Sequence, residues 1–371
     1  MAIKDEAVKV RQGEELNIES VAKFLNENVE EFADIKNLSD NLVIEQYPGG
    51  FSNLTYLIKV KNYPIGDGIV GDREMVLRRP PVGAKIKSAH DMVREYKILS
   101  SIYPVFPYCP KPLAYSEDES IMGCSFYVMN KISGVILRKE MPPGITLSKE
   151  QVRSLCEKLI DLHLELHSID VKAAGLDFIG RPEGYVSRQV AGWSDRYRKA
   201  KTDDAPDFEN VMRWLEEKKQ PDTDRPVLIH NDYKFDNVVL NPETLMEIIG
   251  VLDWEMATYG DPLMDLGGSL AYWIEKDDPP ECKVLQSIPT FMDGAMTRRE
   301  IVERYGEKSG RNMDKFDFYY CFGLFRLAVI AQQIYKRFHL GFTKDKRFGL
   351  LIHAVRLLEN MSLKVIEQSK L

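Results

Sequence analysis

The sequence predicts a two-lobed α+β protein, and three observations carry that expectation. Strand-like alternation is concentrated in the first third, helical periodicity dominates the rest, and two short β-branched runs around a turn lie between them. A chain of 371 residues has room for two separate cores, since domains commonly run to about 100–200 residues. The division is placed after position 130, giving an N-terminal lobe with a leading helix over 1–130 and a C-terminal lobe over 131–371.

Each element follows from local pattern. Ile18, Val21, Phe24 and Leu25 share one helical face between Asn17 and Asn28. Tyr56, Ile58 and Val60 alternate with Leu57 and Lys59 as in a strand, and Met75-Val-Leu77 marks a second strand after a loop rich in Gly and Asp. Met92, Tyr96, Leu99 and Tyr103 recur at helical spacing, and Pro104 and Pro107 end that helix. Phe126 to Met129 reads as a buried strand, with Asn130 to Gly134 as the connector. Ser148 and Gln151 form a capping box ahead of a helix whose apolar face is Val152, Leu155, Leu159, Leu162 and Leu166. The charged stretch Lys199 to Arg225 holds a short helix near Val211 to Leu215. Asn241-Pro-Glu-Thr244 turns a hairpin, and the rest is helical, with an aromatic run Phe316 to Phe338 and an amphipathic run Phe348 to Leu363.

Composition narrows the function classes. Hydrophobic residues at 44% and charged ones at 29% fit a globular enzyme, and a net charge of -7 argues against a nucleic-acid partner. The five cysteines are odd in number and form no CxxC pair, as expected for reduced thiols in a cytoplasmic protein. The N-terminal stretch lacks a signal-peptide core, and the longest apolar run, Phe316 to Ile334, is interrupted by Arg326, Gln332 and Gln333, which makes it a buried helix rather than a membrane span. Oligomeric state is not legible.

Chemistry concentrates in His230-Asn-Asp-Tyr-Lys-Phe-Asp-Asn237. From Asp232, a lysine follows two residues later and an asparagine five later, the spacing of a phosphoryl-transfer catalytic loop. Asp232 would orient the attacking hydroxyl, and Lys234 would set positive charge against the transferred phosphate. The hairpin returns Asp253 beside Asn237, and these two would supply oxygen ligands to Mg2+. A lone Asp in a turn is ordinarily a capping group; the complete string is what points to chemistry. His230 is expected to shape the loop. His163 and His167 lie four apart on a helix, but no third ligand is apparent, so a metal there is not expected. Glu95 falls on the apolar face of its helix, an expensive place for a carboxylate without a partner.

The His230 to Asn237 string, Val251-Leu-Asp-Trp-Glu255 and Gly260-Asp-Pro-Leu-Met-Asp265 resemble the aminoglycoside phosphotransferase-like (APH) family of small-molecule kinases. Val76-Leu-Arg-Arg-Pro-Pro81, Arg94-Glu-Tyr96 and Arg181-Pro-Glu-Gly-Tyr185 are similar to the branch found fused to acyl-CoA dehydrogenases. The resemblance implies a protein-kinase-like two-lobed fold, with a small β-rich nucleotide-binding N-lobe and a larger, mainly helical C-lobe. It implies ATP as phosphate donor, Mg2+, and a small-molecule alcohol as acceptor, in this branch a hydroxyacyl compound, while no residue excludes an aminoglycoside, a choline-like amine or a sugar. Gly50, Ser52 and Asn53 would then cover the phosphates, with a plain tight turn as the alternative. Arg78, or its neighbour Arg79, would grip them with Glu95 as ion-pair partner, and Met129 and Ile132 would flank the adenine. Asp261 and Asp265 would brace the catalytic loop. Trp254-Glu255 after Asp253, where protein kinases have Phe-Gly, argues against a peptide substrate. Tyr185, Arg188, Trp193, Tyr272 and Trp273 are candidates for the acceptor pocket. Asn231 stands where the family usually has Gly, and Asn130 where its hinge often has an acid. A catalytically silent nucleotide-binding or scaffold protein is the alternative.

Overall fold

The computed structural model describes residues 7–48, 53–66, 69–81, 91–343 and 345–371. The chain divides into two compact units, one formed by 1–136 with 239–255 and the other by 137–238 with 256–371. The sequence places the division at 130/131; the contacts place it six residues later and return the hairpin to the first unit. Pairing explains the difference. A two-residue strand β6 (Val135–Ile136) pairs with β8 (Val238–Leu240), which continues the sheet to β9 (Ile248–Val251).

The first unit is built on a five-stranded antiparallel sheet. Its strands are β1 (Leu42–Gln46), β2 (Leu54–Gly66), β3 (Ile69–Arg79), β4 (Pro112–Ser116) and β5 (Phe126–Asn130), in the order β1-β2-β3-β5-β4. α1 (Ile18–Asn28) is capped by Asn17 and lays Val21, Phe24 and Leu25 against a core containing Tyr56, Ile58, Leu77 and Val128. Tyr56 and Ile58 are alternate positions of β2, Leu77 lies on β3 and Val128 on β5, so one face of the sheet supplies this core, as the period-two pattern demands. α2 (Met92–Ile102), capped by Asp91, buries Met92, Glu95, Ile98, Leu99 and Ile102. A one-turn helix α3 (Glu119–Met122) joins β4 to β5.

The second unit is mainly helical. α4 (Lys149–His167) opens with the predicted capping box of Ser148 and Gln151. α5 (Tyr185–Ala200) and α6 (Glu209–Glu217) follow, then a two-stranded ladder of β7 (Val227–Ile229) and β10 (Thr258–Gly260). α7 (Pro262–Ala271) starts on Asp261, whose side chain accepts from Leu263 N, with Pro262 in the first turn. α8 (Arg298–Ser309), α9 (Phe316–His339), α10 (Lys346–Gly349) and α11 (Leu351–Gln368) complete the unit. The aromatic run is α9, with fourteen buried residues. Among the described residues, no helix is long and apolar enough to cross a membrane.

Candidate active site

In the first unit, one buried arginine gathers three carboxylates. β3 places Arg78 opposite Thr55 of β2 and Tyr127 of β5. Its Nη1 lies 2.5 Å from Glu95 Oε1 and 3.2 Å from Asp253 Oδ1, and its Nη2 lies 3.2 Å from Glu255 Oε2. Asn53 Nδ2 donates to the same Glu255 oxygen at 2.7 Å. Arg78 and Glu95 are thus brought together, while Arg79 reaches the Pro80 carbonyl. Burial pushes the Glu95 carboxyl above its ordinary range against the pull of Arg78. Burial acts to lower the Arg78 pKa, but its carboxylate neighbours outweigh that and hold it well above the ordinary value.

Glu95 comes from α2, and the other two carboxylates are positioned from the hairpin. Val251 N donates to Tyr108 O at 2.8 Å, and the indole of Trp254, 1% exposed, donates to Val251 O at 2.9 Å. Between them the chain turns through Asp253 at φ 66, a left-handed conformation uncommon outside glycine. Met129 is buried at the end of β5, opposite Val76 and Pro112. Ile132 packs where Gly250 leaves space, since a Cβ there would stand 2.8 Å from Ile132 Cδ1. Gly50 and Ser52 lie outside the described residues.

In the second unit, β7 runs into His230, and the loop folds back on Asp265. His230 N and Asn231 N donate to its two carboxylate oxygens at 2.9 and 2.7 Å, while His163 Nε2 and His167 Nε2 approach Oδ2 at 3.0 and 3.1 Å. Tyr305 Oη lies 2.7 Å from His167 Nδ1. Burial, reinforced by His163, pushes His167 down to about 3, so it stays neutral and donates its Nε2 proton to Asp265. Burial alone would raise the Asp265 pKa; the imidazole hydrogen bonds overcome it and hold the carboxyl well below its usual range. The expected absence of a third group at the histidine pair is therefore corrected, because Asp265 arrives from 102 and 98 residues away. In this structure the three side chains of the cluster are engaged in hydrogen bonding.

The loop thus anchored presents Asp232, whose N–H donates to His230 Nδ1 at 3.2 Å. Asn231, at φ 65, adopts the left-handed turn that explains why glycine is usual there and why asparagine serves. Asn237 Nδ2 donates to Asp232 O and Oδ2, both at 2.8 Å, which leaves its Oδ1 without a partner among the described residues. Lys234 Nζ lies 2.5 Å from Asp232 Oδ1, 3.6 Å from Asp236 Oδ1 and 4.8 Å from the Tyr272 ring centre. Burial would lower the lysine's pKa, but Asp232, Tyr272 and Asp236 raise it, so it remains a cation. Burial pushes Asp236 up to about 6.

Of the other acceptor candidates, Trp273 is 2% exposed and donates its indole N–H to Met296 O at 2.8 Å, which makes it core. Arg188 reaches the carbonyls of Arg181 and Glu183. Tyr185 and Trp193 are buried on α5. Sequence reasoning missed Glu255 as a partner of Arg78, although it stands two residues after Asp253 in the motif.

The profile of the phosphotransferase enzyme family, APH, matches residues 43–314. Acyl-CoA dehydrogenase family member 11 of Rattus norvegicus is 30% identical over 372 aligned positions that cover 98% of this chain, and the chain spans 45% of that relative's length. A crystal structure from Ralstonia eutropha, assigned to the aminoglycoside phosphotransferases, superposes with TM-score 0.76 and 25% identity, covering 96% of this chain and 100% of the other. An aminoglycoside phosphotransferase solved with GDP and kanamycin has the same fold, with TM-score 0.61, 15% identity and coverage of 94% and 99%.

Proposed function

The chain belongs to the phosphotransferase enzyme family, and on that premise we propose an ATP- and Mg2+-dependent kinase that phosphorylates an alcohol group of a small molecule, in this branch a hydroxyacyl compound. The observation that carries the reading is Asp232, held by Asn237 and Lys234 on a loop whose backbone is anchored to Asp265. Asp232 accepts the acceptor hydroxyl's hydrogen bond and holds its oxygen in line. Positioning matters more than base strength in a loose phosphoryl-transfer transition state. Lys234 offers its charge to the phosphoryl oxygens as the hydroxyl takes its place on Asp232.

The chain's residues fit the metal the family uses. Arg78 carries one positive charge among three carboxylates, an excess of hard oxygen donors, and Asn237 keeps its Oδ1 unpaired among the described residues. Asp253 and Asn237 are each proposed as a Mg2+ ligand; the ion, when bound, neutralises charge on the nucleotide phosphates. Arg78 is proposed to grip those phosphates with Glu95 as its partner, Asn53 to support the phosphate-covering segment with Gly50 and Ser52, and Met129 and Ile132 to flank the base.

Thermal unfolding with ATP, with and without Mg2+, tests this. A ligand at about 100 times its Kd adds roughly 2.7 kcal/mol of stability, and a magnesium-dependent rise that Asp253→Asn abolishes is expected. Asparagine is chosen because it tolerates the left-handed backbone at this position. Asp232→Asn should keep that rise while losing on the order of 10³-fold in turnover. A chain that shows no shift with any purine nucleotide would instead be a silent scaffold.

A further inference from the structure

α9 and α7 touch through glycines. A Cβ on Gly267 would stand 2.2 Å from the Tyr319 carbonyl oxygen, and one on Gly323 would stand 2.2 Å from the Gly267 carbonyl oxygen. That contact carries Arg326, one turn beyond Gly323, to α7 at Gly268, where an added Cβ would lie 3.2 Å from Arg326 Nη1. Arg326 is only 9% exposed. Among the described residues it has neither a carboxylate nor any other hydrogen-bond acceptor within reach, in contrast to Arg78 and its three carboxylates.

What Arg326 has instead is the Trp193 ring, 5.3 Å from its guanidinium carbon. A second cation, Arg196, sits 4.6 Å from the same ring centre. Burying a guanidinium without an anion is costly, and a cation–π contact returns only part of that cost. Two cations against one indole also leave that ring unsuited to a quaternary amine or an aminosugar. At Gly268, Arg326 meets α7, the helix that ends at Tyr272, and Tyr272 lies against Lys234, which pairs with Asp232. The unpaired cation and the proposed hydroxyl-orienting carboxylate therefore belong to one neighbourhood of the second unit.

We propose that Arg326, set over the Trp193 ring, binds an anionic group of the acceptor, so that the substrate is an alcohol bearing a carboxylate or phosphate and not a hydroxy-amine. The proposal rests on the kinase reading for the word acceptor, but the anion site stands on its own geometry. A guanidinium suits either anion, because its planar fork matches both.

The test is calorimetric titration of the full chain, with ADP and Mg2+ present, using straight-chain hydroxy acids of about four to ten carbons, their methyl esters and their CoA thioesters. The wild type is expected to bind at least one acid, or its thioester, about tenfold or more tighter than the matching ester, the discrimination a hydrogen-bonded charged group provides. Arg326→Gln should erase that preference and Arg326→Lys should keep part of it. Dependence on Arg326 for the free acids identifies a carboxylate, and dependence for the thioesters alone identifies the CoA phosphates. The unfolding midpoint of Arg326→Gln should stay level or rise, as when an uncompensated functional charge is removed. A preference unchanged by Arg326→Gln, no binding of any anionic probe, or a midpoint that falls by more than a few degrees overturns the proposal. A magnesium-dependent ATP shift with any of those results would leave the kinase reading standing, whereas Arg326-dependent anion binding without an ATP shift would sink the kinase reading alone.

Discussion

Two buried arginines, one in each unit, hold their charge in opposite ways. In the first, Arg78 is surrounded by Glu95, Asp253 and Glu255, so opposite charges are matched and then exceeded. In the second, Asp265 is held by backbone amides and by His163 and His167, while Arg326 has an aromatic ring and no counter-charge among the described residues. A charge matched by charge is a structural commitment, since losing one partner strands the others in a poor dielectric. A charge held by neutral dipoles, or left unmatched, can serve a geometry or a ligand without that penalty. The excess negative charge around Arg78 suits a site that receives a cation, and the unmatched Arg326 suits one that receives an anion.

The sharpest way to break the comparison is to remove each arginine. Arg78→Met should cost about 3–5 kcal/mol, the usual loss when one member of a buried pair is removed. Arg78→Met with Glu95→Leu should recover much of it, because the most deeply buried of the three carboxylates is gone. Urea denaturation of the two single variants and the double variant measures the coupling. Arg326→Gln should cost almost nothing on the same assay. Equal losses at the two positions would erase the distinction.

Acid distinguishes the units next. His167 has its folded pKa pushed down to about 3, while an unfolded histidine titrates near 6.5. Below about pH 6.5 the unfolded chain therefore binds a proton that the folded chain refuses. The stability concerned is fully present above pH 6.5 and is lost as pH falls toward 3. From pH 7 to pH 5 this amounts to roughly 2 kcal/mol at 1.36 kcal/mol per unit. His167→Gln can still donate to Asp265 and should flatten that part of the pH profile, measured as unfolding free energy at pH 7, 6 and 5. An unchanged slope would mean that His167 takes up its proton in the folded state.

What the sequence made legible follows the same division. Local signals were read well: Ser148 and Gln151 form the capping box expected of them, and the run from Asp232 to Asn237 folds as one hydrogen-bonded loop because its partners lie within five residues. The Arg78–Glu95 pair was also legible, since a carboxylate on an apolar face demands a partner nearby. Long-range convergence was not. Glu255 joins Arg78 across 177 positions, and Asp265 joins His163 across 102. Arg326 was taken for an interruption in a buried aromatic run, because helical periodicity registers that a residue is buried and not that its charge lacks a partner.

The smallest test concerns Asn231, the one catalytic-loop position that departs from the usual glycine. Its φ of 65 lies where a Cβ costs energy for most residues, and asparagine is among the few that tolerate it. Its side chain also donates to Met256 O at 3.0 Å, a bond glycine cannot make. Asn231→Gly should therefore leave stability within about 0.5 kcal/mol, a backbone gain offsetting a lost hydrogen bond. Asn231→Ala loses the bond and keeps the strain, so it should cost about 1–2 kcal/mol. The ordering of the two substitutions in denaturant midpoint is the readout. If alanine were tolerated as well as glycine, the left-handed turn would not be what shapes this position, and the anchoring of the loop would rest on the Asp265 hydrogen bonds alone.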